Sequence, residues 1–325
     1  MSMSLFGKKH LQLSAFTVAI IANVLMGTNA VSTKIAIDFD MDPLFYVGLR
    51  AILIGLALLL LIKNFDFLRK PKAVGHLFLS ALFITLFISL AALGLELSTA
   101  LKASLLSLTT PVSVYVLSVL VLREPIIRRA LYGGFVALIG ASLVVGLPLI
   151  TGEAFVFGDL LLFVAYFFLA ASIIHAKYIF KWVEPVAVVS IRFLIAGIVI
   201  FLGVLAWSGT EIALEPQPQA WLALLYGTVI VGIIGVTLYY TSLRKIKGEE
   251  AAPLFYIDPM TGVVAAALLL GDRLDVAAVA GAAIVIAGVM MAHPHHGHLL
   301  HAYHIHHPHP LRHIGRAWQQ VRSKL

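Results

Sequence analysis

Cysteine is absent from all 325 residues, and charge is scarce, at 12% of positions against 61% hydrophobic. The first absence excludes disulfides and thiolate metal sites and leaves the redox compartment unreadable. The second excludes a water-soluble surface, because so much apolar side chain cannot be hidden in the core of a chain this size. Catalytic signatures are missing as well. No glycine-rich phosphate loop ending in Gly-Lys-Ser or Gly-Lys-Thr occurs, and neither His-Glu-x-x-His nor Gly-x-Ser-x-Gly is found. Direct ATP use and the common hydrolase chemistries are therefore not expected.

What is present is a series of long apolar runs. A helix crossing ~30 Å of hydrocarbon needs about 20 residues. Ten runs of that order lie at roughly 11–33, 44–62, 74–95, 101–122, 130–150, 157–176, 185–207, 221–243, 251–270 and 276–292. They are continuously apolar with Gly and Ala at helical spacing, unlike the short alternating segments of a membrane barrel. The expected fold is an all-α integral membrane protein of ten transmembrane helices, called here spans one to ten. The first run exceeds 20 residues and holds Asn23, Thr28 and Asn29, so it reads as an uncleaved span rather than a signal peptide.

Basic residues between spans set orientation. With alternate loops assigned to the cytoplasm, every inter-span and terminal Lys or Arg falls on that side except Lys34, Lys102 and Arg273. Asp38, Asp40, Asp42, Glu153, Glu211 and Glu215 lie opposite. The expectation is a multi-pass protein of the cell (inner) membrane with both termini cytoplasmic.

The two halves of the chain repeat one another. "PVSVYVLSVLVLREP" from Pro111 corresponds to "PMTGVVAAALLLGDR" from Pro259, with an acid thirteen residues after each proline, Glu124 and Asp272. Upstream, Lys34, Pro43 and Arg50 correspond to Lys177, Pro185 and Arg192. The offset is 142 or 143 early in the repeat and 148 late. Five spans per half is an odd number, so the copies would lie upside down relative to each other, the arrangement of alternating-access carriers.

At these residues the chain resembles the drug/metabolite transporter superfamily, specifically permeases with two EamA-like five-helix repeats. The resemblance covers roughly residues 11–292: a Lys-x-Pro-x-Arg pattern around the first two spans of each half, then the proline and the following acid, each present twice. Departures are "GTNAVSTK" without the tryptophan often found in the first repeat, Asp272 where glutamate is usual, and an appended histidine-rich tail. The implied division is a first repeat over 11–150, a second over 157–292, and a cytoplasmic tail over 293–325. The resemblance implies a permease that more commonly exports.

Candidate substrate contacts come from polar positions inside the spans. Ser104, Ser107, Pro111, Tyr115 and Ser118 share one face of span four; Thr228, Gly232, Gly235, Tyr239 and Ser242 share one of span eight. Small and hydroxyl residues also line ordinary helix contacts in membranes, so each position has a packing reading beside the functional one. Pro111 and Pro259 each remove an N–H and free the carbonyl four residues earlier, which must find a partner or a wet cavity. Asp258 costs about 2.5–3.5 kcal/mol at bilayer depth on insertion scales, so it should be paired, protonated or wet. Arg192 is its expected partner, and Glu96 is expected to pair with Arg50 or Lys34. The alternative is a carboxyl that exchanges a proton as the cavity switches sides. Arg50 and Arg192 themselves read as snorkelling residues. Either Asn23 or Asn29 is expected at the cavity wall. The candidate set is thus Asn23, Asn29, Ser107, Pro111, Tyr115, Tyr239, Tyr256, Asp258 and Pro259.

Ten of the 13 histidines fall between His293 and His313, interrupted by Pro294, Pro308 and Pro310. Imidazoles at this density bind divalent transition metals, and His295, His296, His298, His304 and His307 are the candidate ligands, set against a solvated or pH-responsive tail. Leu311, Ile314, Trp318, Val321 and Leu325 then line one face of an interfacial helix, with Arg312 and Arg316 opposite, suited to anionic lipid.

The reading is a secondary transporter of a small polar or amphipathic metabolite, such as an amino acid or related compound. Proton exchange and passive facilitation are both open as energy sources. Its partners are that solute, membrane lipids and a divalent metal at the tail; no nucleic acid and no cofactor is required. The rivals are a non-transporting membrane scaffold or metal-responsive sensor using the tail, and an intramembrane enzyme. For the enzyme, Asp258 and Asp272 are fourteen residues apart on one helix, ~21 Å of rise, too far to share a water.

Overall fold

The computed structural model describes residues 15–62, 64–122, 132–140, 143, 157–180, 182–208, 216–243, 257–272 and 276–292. Among them every regular element is helical. Span one is split into α1 (Ala15–Gly27) and α2 (Asn29–Asp38). Span two is α3 (Pro43–Leu59), opened by Pro43 at its first position and by the Asp42 carboxylate, which accepts from the Phe45 N–H at 2.7 Å. Span three is α4 (Pro71–Glu96). Span four is again split, into α5 (Ala100–Ser107) and α6 (Thr110–Leu122).

The segment 132–140 forms α7, followed by α8 (Phe157–Ile179) and α9 (Pro185–Ser208). Span eight runs as α10 (Pro218–Tyr226), a π-helical stretch (Gly227–Gly235) and α11 (Val236–Leu243). The last two helices are α12 (Ile257–Leu269) and α13 (Val276–Ala292).

Five helical stretches are long and apolar enough to cross a membrane: Thr17–Asp38, Pro71–Glu96, Phe157–Ala176, Pro185–Ala206 and Pro218–Tyr239. Pro43–Leu59, Ile257–Leu269 and Val279–Gly288 are shorter apolar helices. Large apolar side chains such as Phe78, Leu82, Leu202, Leu222 and Leu268 point outward, more than half exposed. Such a surface suits lipid and would be an aggregation hazard in water. The chain is a multi-pass helical membrane protein.

Alternate loops gather at one end of the bundle. Gln217 Nε2 donates to Asp40 at 2.9 Å, joining the loops after α2 and before α10. Lys102 Nζ lies 2.9 Å from Asp159, joining α5 to the start of α8, and Ser98 donates to the same carboxylate. Asp272 accepts from the Leu101 N–H at 3.1 Å, tying the end of α12 to the first turn of α5. The opposite end holds Phe67, Leu77, Ile179 and Val183 in one apolar cluster, with His76 stacked on Trp182 at 5.6 Å. An amphipathic aromatic group of this kind suits a membrane interface.

Helix contacts use small residues, as expected where lipid offers no hydrophobic drive for association. α3 and α9 pack backbone to backbone: Ser190 Oγ donates to the Gly55 carbonyl at 2.8 Å, and a methyl at Gly197 would sit 2.8 Å from the Gly48 carbonyl oxygen. α7 and α13 do the same. A methyl at Gly140 would meet the Gly281 carbonyl oxygen at 2.6 Å, and one at Gly288 would meet the Gly133 carbonyl oxygen at 2.5 Å.

Candidate functional site

The irregular backbone lies about midway along the spans that carry it. Thr28, at the break between α1 and α2, is ten residues from the end of α2, or ~15 Å of helical rise, about half of a ~30 Å hydrocarbon layer. Gly227, where α10 gives way to the π-helical stretch, is nine residues from Pro218 and lies at a similar depth. The two breaks touch, because Thr28 Oγ1 and Tyr226 Oη are hydrogen-bonded at 2.9 Å.

Hydroxyls patch the broken ladders. Thr28 Oγ1 donates to the Leu25 carbonyl at 2.7 Å, Ser107 Oγ to Ser104 at 2.7 Å, and Thr109 Oγ1 to Leu106 at 2.7 Å. Each reaches a carbonyl three residues back, the partner a loosened turn needs inside hydrocarbon.

Around these breaks spans one, four, eight and nine meet. A methyl at Gly27 would strike the Asp258 carbonyl and Thr261, while one at Gly262 would strike Ser104 Oγ and lie 2.9 Å from the Gly27 carbonyl oxygen. Gly235 faces Met26 and Leu25 more loosely, where a methyl would lie 3.2 and 3.6 Å from their side chains. Ser104 donates to the Ala100 carbonyl at 2.9 Å, so this hydroxyl serves its own helix and a close helix contact.

The individual candidates fall as follows. Asn23 is buried on α1 and its Nδ2 donates to the Ala19 carbonyl at 2.8 Å. Asn29 opens α2, and its carbonyl accepts from Ser32 and Thr33. Ser107 closes α5, and Pro111 is the second residue of α6, so the proline coincides with a break. Tyr239 is partly buried on α11, its carbonyl accepting from Ser242. Asp258 and a buried Pro259 lie in the first turn of α12. The Tyr115 side chain, Tyr256 and the candidate metal ligands His295, His296, His298, His304 and His307 lie outside the described residues.

Two expected ion pairs are not formed. Arg192 donates from Nη1 to Ser172 Oγ on α8 at 3.1 Å, and the ion pairs among the described residues do not include Asp258. Lys34 pairs with Asp38 on its own helix at 3.3 Å and reaches across to the Leu95 carbonyl at the end of α4 at 2.9 Å, beside Glu96 but bonded to the backbone and not to its carboxylate.

Arg50 holds the less anticipated position. Its Nε donates to the Gly227 carbonyl at 3.0 Å, across to the start of the π-helical stretch, with its guanidinium 5.9 Å from the centre of the Tyr46 ring. The sequence hint was its duplication as Arg192; the partner was hidden because it is a backbone carbonyl and no side-chain pattern announces it.

A model of the EamA-like transporter family matches the chain twice, over residues 13–146 and 156–292. The chain belongs to the EamA-like transporter family. It is 24% identical over 290 residues to the uncharacterized transporter YetK of Bacillus subtilis, covering 86% of this chain and 87% of the relative. It is 27% identical over 281 residues to a probable amino-acid metabolite efflux pump of Salmonella typhimurium, covering 83% and 92%. The corresponding Escherichia coli protein, named likewise, is 25% identical over 281 residues, covering 83% and 92%. A solved structure, described only as the crystal structure of a protein, superposes with a TM-score of 0.58 at 18% identity over 86% of this chain and 96% of its own, a likeness of fold alone.

Proposed function

We propose that this family member is a secondary transporter exporting a small polar or amphipathic metabolite, an amino acid or related compound, by alternating access between two inverted five-helix halves. The observation that carries the reading is an exchange of contacts between matched residues. Shifted by 142, Gly48 and Gly55 become Ser190 and Gly197; the contacts formed are Gly55 with Ser190 and Gly197 with Gly48. Shifted by 148, Gly133 and Gly140 become Gly281 and Gly288; the contacts are Gly140 with Gly281 and Gly288 with Gly133. Two pairs that swap under one operation are what a two-fold axis between the halves produces. The same offsets relate the sequence repeats. The double family match over 13–146 and 156–292 supports the reading too.

The exporter direction and the amino-acid class rest on the names of the Salmonella and Escherichia relatives. The protein sits in the cell (inner) membrane with both termini cytoplasmic, and Asp258 carries a proton as the cavity changes sides. The test is flux by the purified chain in proteoliposomes, with labelled proteinogenic L-amino acids loaded inside and an imposed pH gradient. Protein-dependent efflux supports the reading; empty-liposome rates for every solute discard it. The histidine-rich tail is a metal-buffering or regulatory appendage. Isothermal titration of zinc into full-length protein against a chain ending at residue 292 decides that point, since equal heats end the metal reading.

A further inference from the structure

Inside a bilayer a guanidinium needs either an anion or a wet route to the interface. Arg50 sits seven residues beyond Pro43, ~10 Å down α3, and the ion pairs among the described residues do not include it. Its one charge-assisted bond among the described residues is to a neutral backbone carbonyl, that of Gly227. Arginine presents five N–H donors, and only Nε is used there, which leaves the planar Nη fork that matches a carboxylate bidentately.

The surroundings are built in the same sense. A methyl at Gly227 would lie 2.5 Å from Tyr46 Oη, 3.3 Å from Arg50 Nε and 3.3 Å from Ser32 Oγ, so three polar side chains from α2 and α3 converge on one backbone point. Tyr46 is completely buried, yet its hydroxyl has no hydrogen-bond partner among the described residues. Thr228, the next residue after Gly227, is buried with its Oγ1 likewise without a partner. Leaving a buried hydroxyl unsatisfied is costly, and such groups in a native structure point to something that completes them. Ser32 belongs to the first turn of α2, and its hydroxyl donates to the Asn29 carbonyl at 3.0 Å. The cation and the spare hydroxyl donor both favour a negative charge at this place. Lys34 and Asp38, further along α2, neutralise each other and Asp42 caps α3, so no carboxylate of these two helices serves Arg50.

We infer that Arg50 and Tyr46, gathered at Gly227 where α10 turns into the π-helical stretch, form a carboxylate subsite that holds the acid group of the transported solute. The subsite deepens the transporter reading and rests on it for the word transported. A single guanidinium with one phenolic donor suits a monoanionic planar carboxylate rather than a doubly charged group. The π-helical stretch has a role here, since the change of hydrogen-bond register at Gly227 presents that carbonyl to Arg50 and fixes the guanidinium in place.

The experiment measures thermal stabilisation of the purified full-length protein by an equimolar mixture of proteinogenic L-amino acids and by the mixture of the corresponding L-amino-acid amides, which keep the side chains and lose the carboxylate. The acids should stabilise and the amides should not. Tyr46→Phe removes only the spare hydroxyl, so without solute it should melt at or above the wild-type temperature, yet need about tenfold more of the acid mixture for equal stabilisation. Arg50→Gln should lose the response; if it does not fold, Tyr46→Phe decides alone. Amides as effective as acids, acids without effect, or wild-type affinity in either folded variant would overturn the subsite. Flux separates the two levels. An Arg50-dependent stabilisation with no efflux from proteoliposomes leaves the subsite and removes the transporter, whereas wild-type acid efflux by Arg50→Gln leaves the transporter and removes the subsite.

Discussion

Among single residues, the strongest electrostatic commitment is Asp159, whose side chain is 1% exposed and bonds both Lys102 and Ser98. Removing one member of a buried pair strands the other, a loss of about 3–5 kcal/mol. Asp159→Ala should therefore lower the unfolding midpoint in detergent by several degrees, while Asp159→Asn, which can still accept from Ser98, should fall less. Equal effects would assign the stability to shape instead of charge. Asp258 belongs to a different category, since the ion pairs among the described residues do not include it. In proteoliposomes Asp258→Asn should lose the response of flux to a pH gradient while keeping facilitated exchange. A variant that still follows the gradient would place proton coupling elsewhere.

At the scale of elements, three spans are interrupted among the described residues. Span one breaks at Thr28, span four at residues 108–109, and span eight passes through Gly227–Gly235 in π geometry. The sequence displays the cause for span four, because Pro111 cannot donate and its freed carbonyl must be served locally. It displays no comparable cause for spans one and eight. Thr28 and Gly227 are ordinary enough in a membrane helix, and their partners are tertiary: Thr28 meets Tyr226, and Gly227 meets Arg50. Pro111→Ala restores an N–H able to bond Ser107, so α5 and α6 should approach one continuous helix. The expected result is an unchanged or raised melting midpoint with severalfold slower efflux. A lower midpoint with full activity would make the break merely structural.

For the whole molecule, the helix ends and loops bearing Asp40 and Gln217, Lys102 and Asp159, and Asp272 share one end, and the segment near Phe67 and His76 lies at the other. A chain without cysteine is a clean background for labelling. Single cysteines at Asp40 and Gln217 should react with an impermeant maleimide from the same side, and one at Asn64 only from the other. Under the proposed orientation, intact cells should label the first two. Reaction of all three from one side would contradict the alternation of spans on which the inverted halves depend.

The doubled Lys, Pro, Arg and acid positions made the family and the offsets of 142 and 148 readable from the linear chain, because a duplicated unit leaves its spacing wherever packing demands it. Membrane residence was equally legible, since the cost of apolar surface in water is summed over composition and needs no partner. Which polar residues face one another was not. Arg192 and Lys34 looked like partners for Asp258 and Glu96 by depth alone, but side-chain reach and the rotation of each helix about its own axis direct them to Ser172 and to Leu95 and Asp38. Arg50 looked like a snorkelling residue until α3 was packed beside the π-helical turn, whose Gly227 carbonyl is brought to it by backbone geometry alone. Spacing along a chain fixes depth in the membrane; azimuth, and with it every contact across the bundle, is decided by tertiary packing.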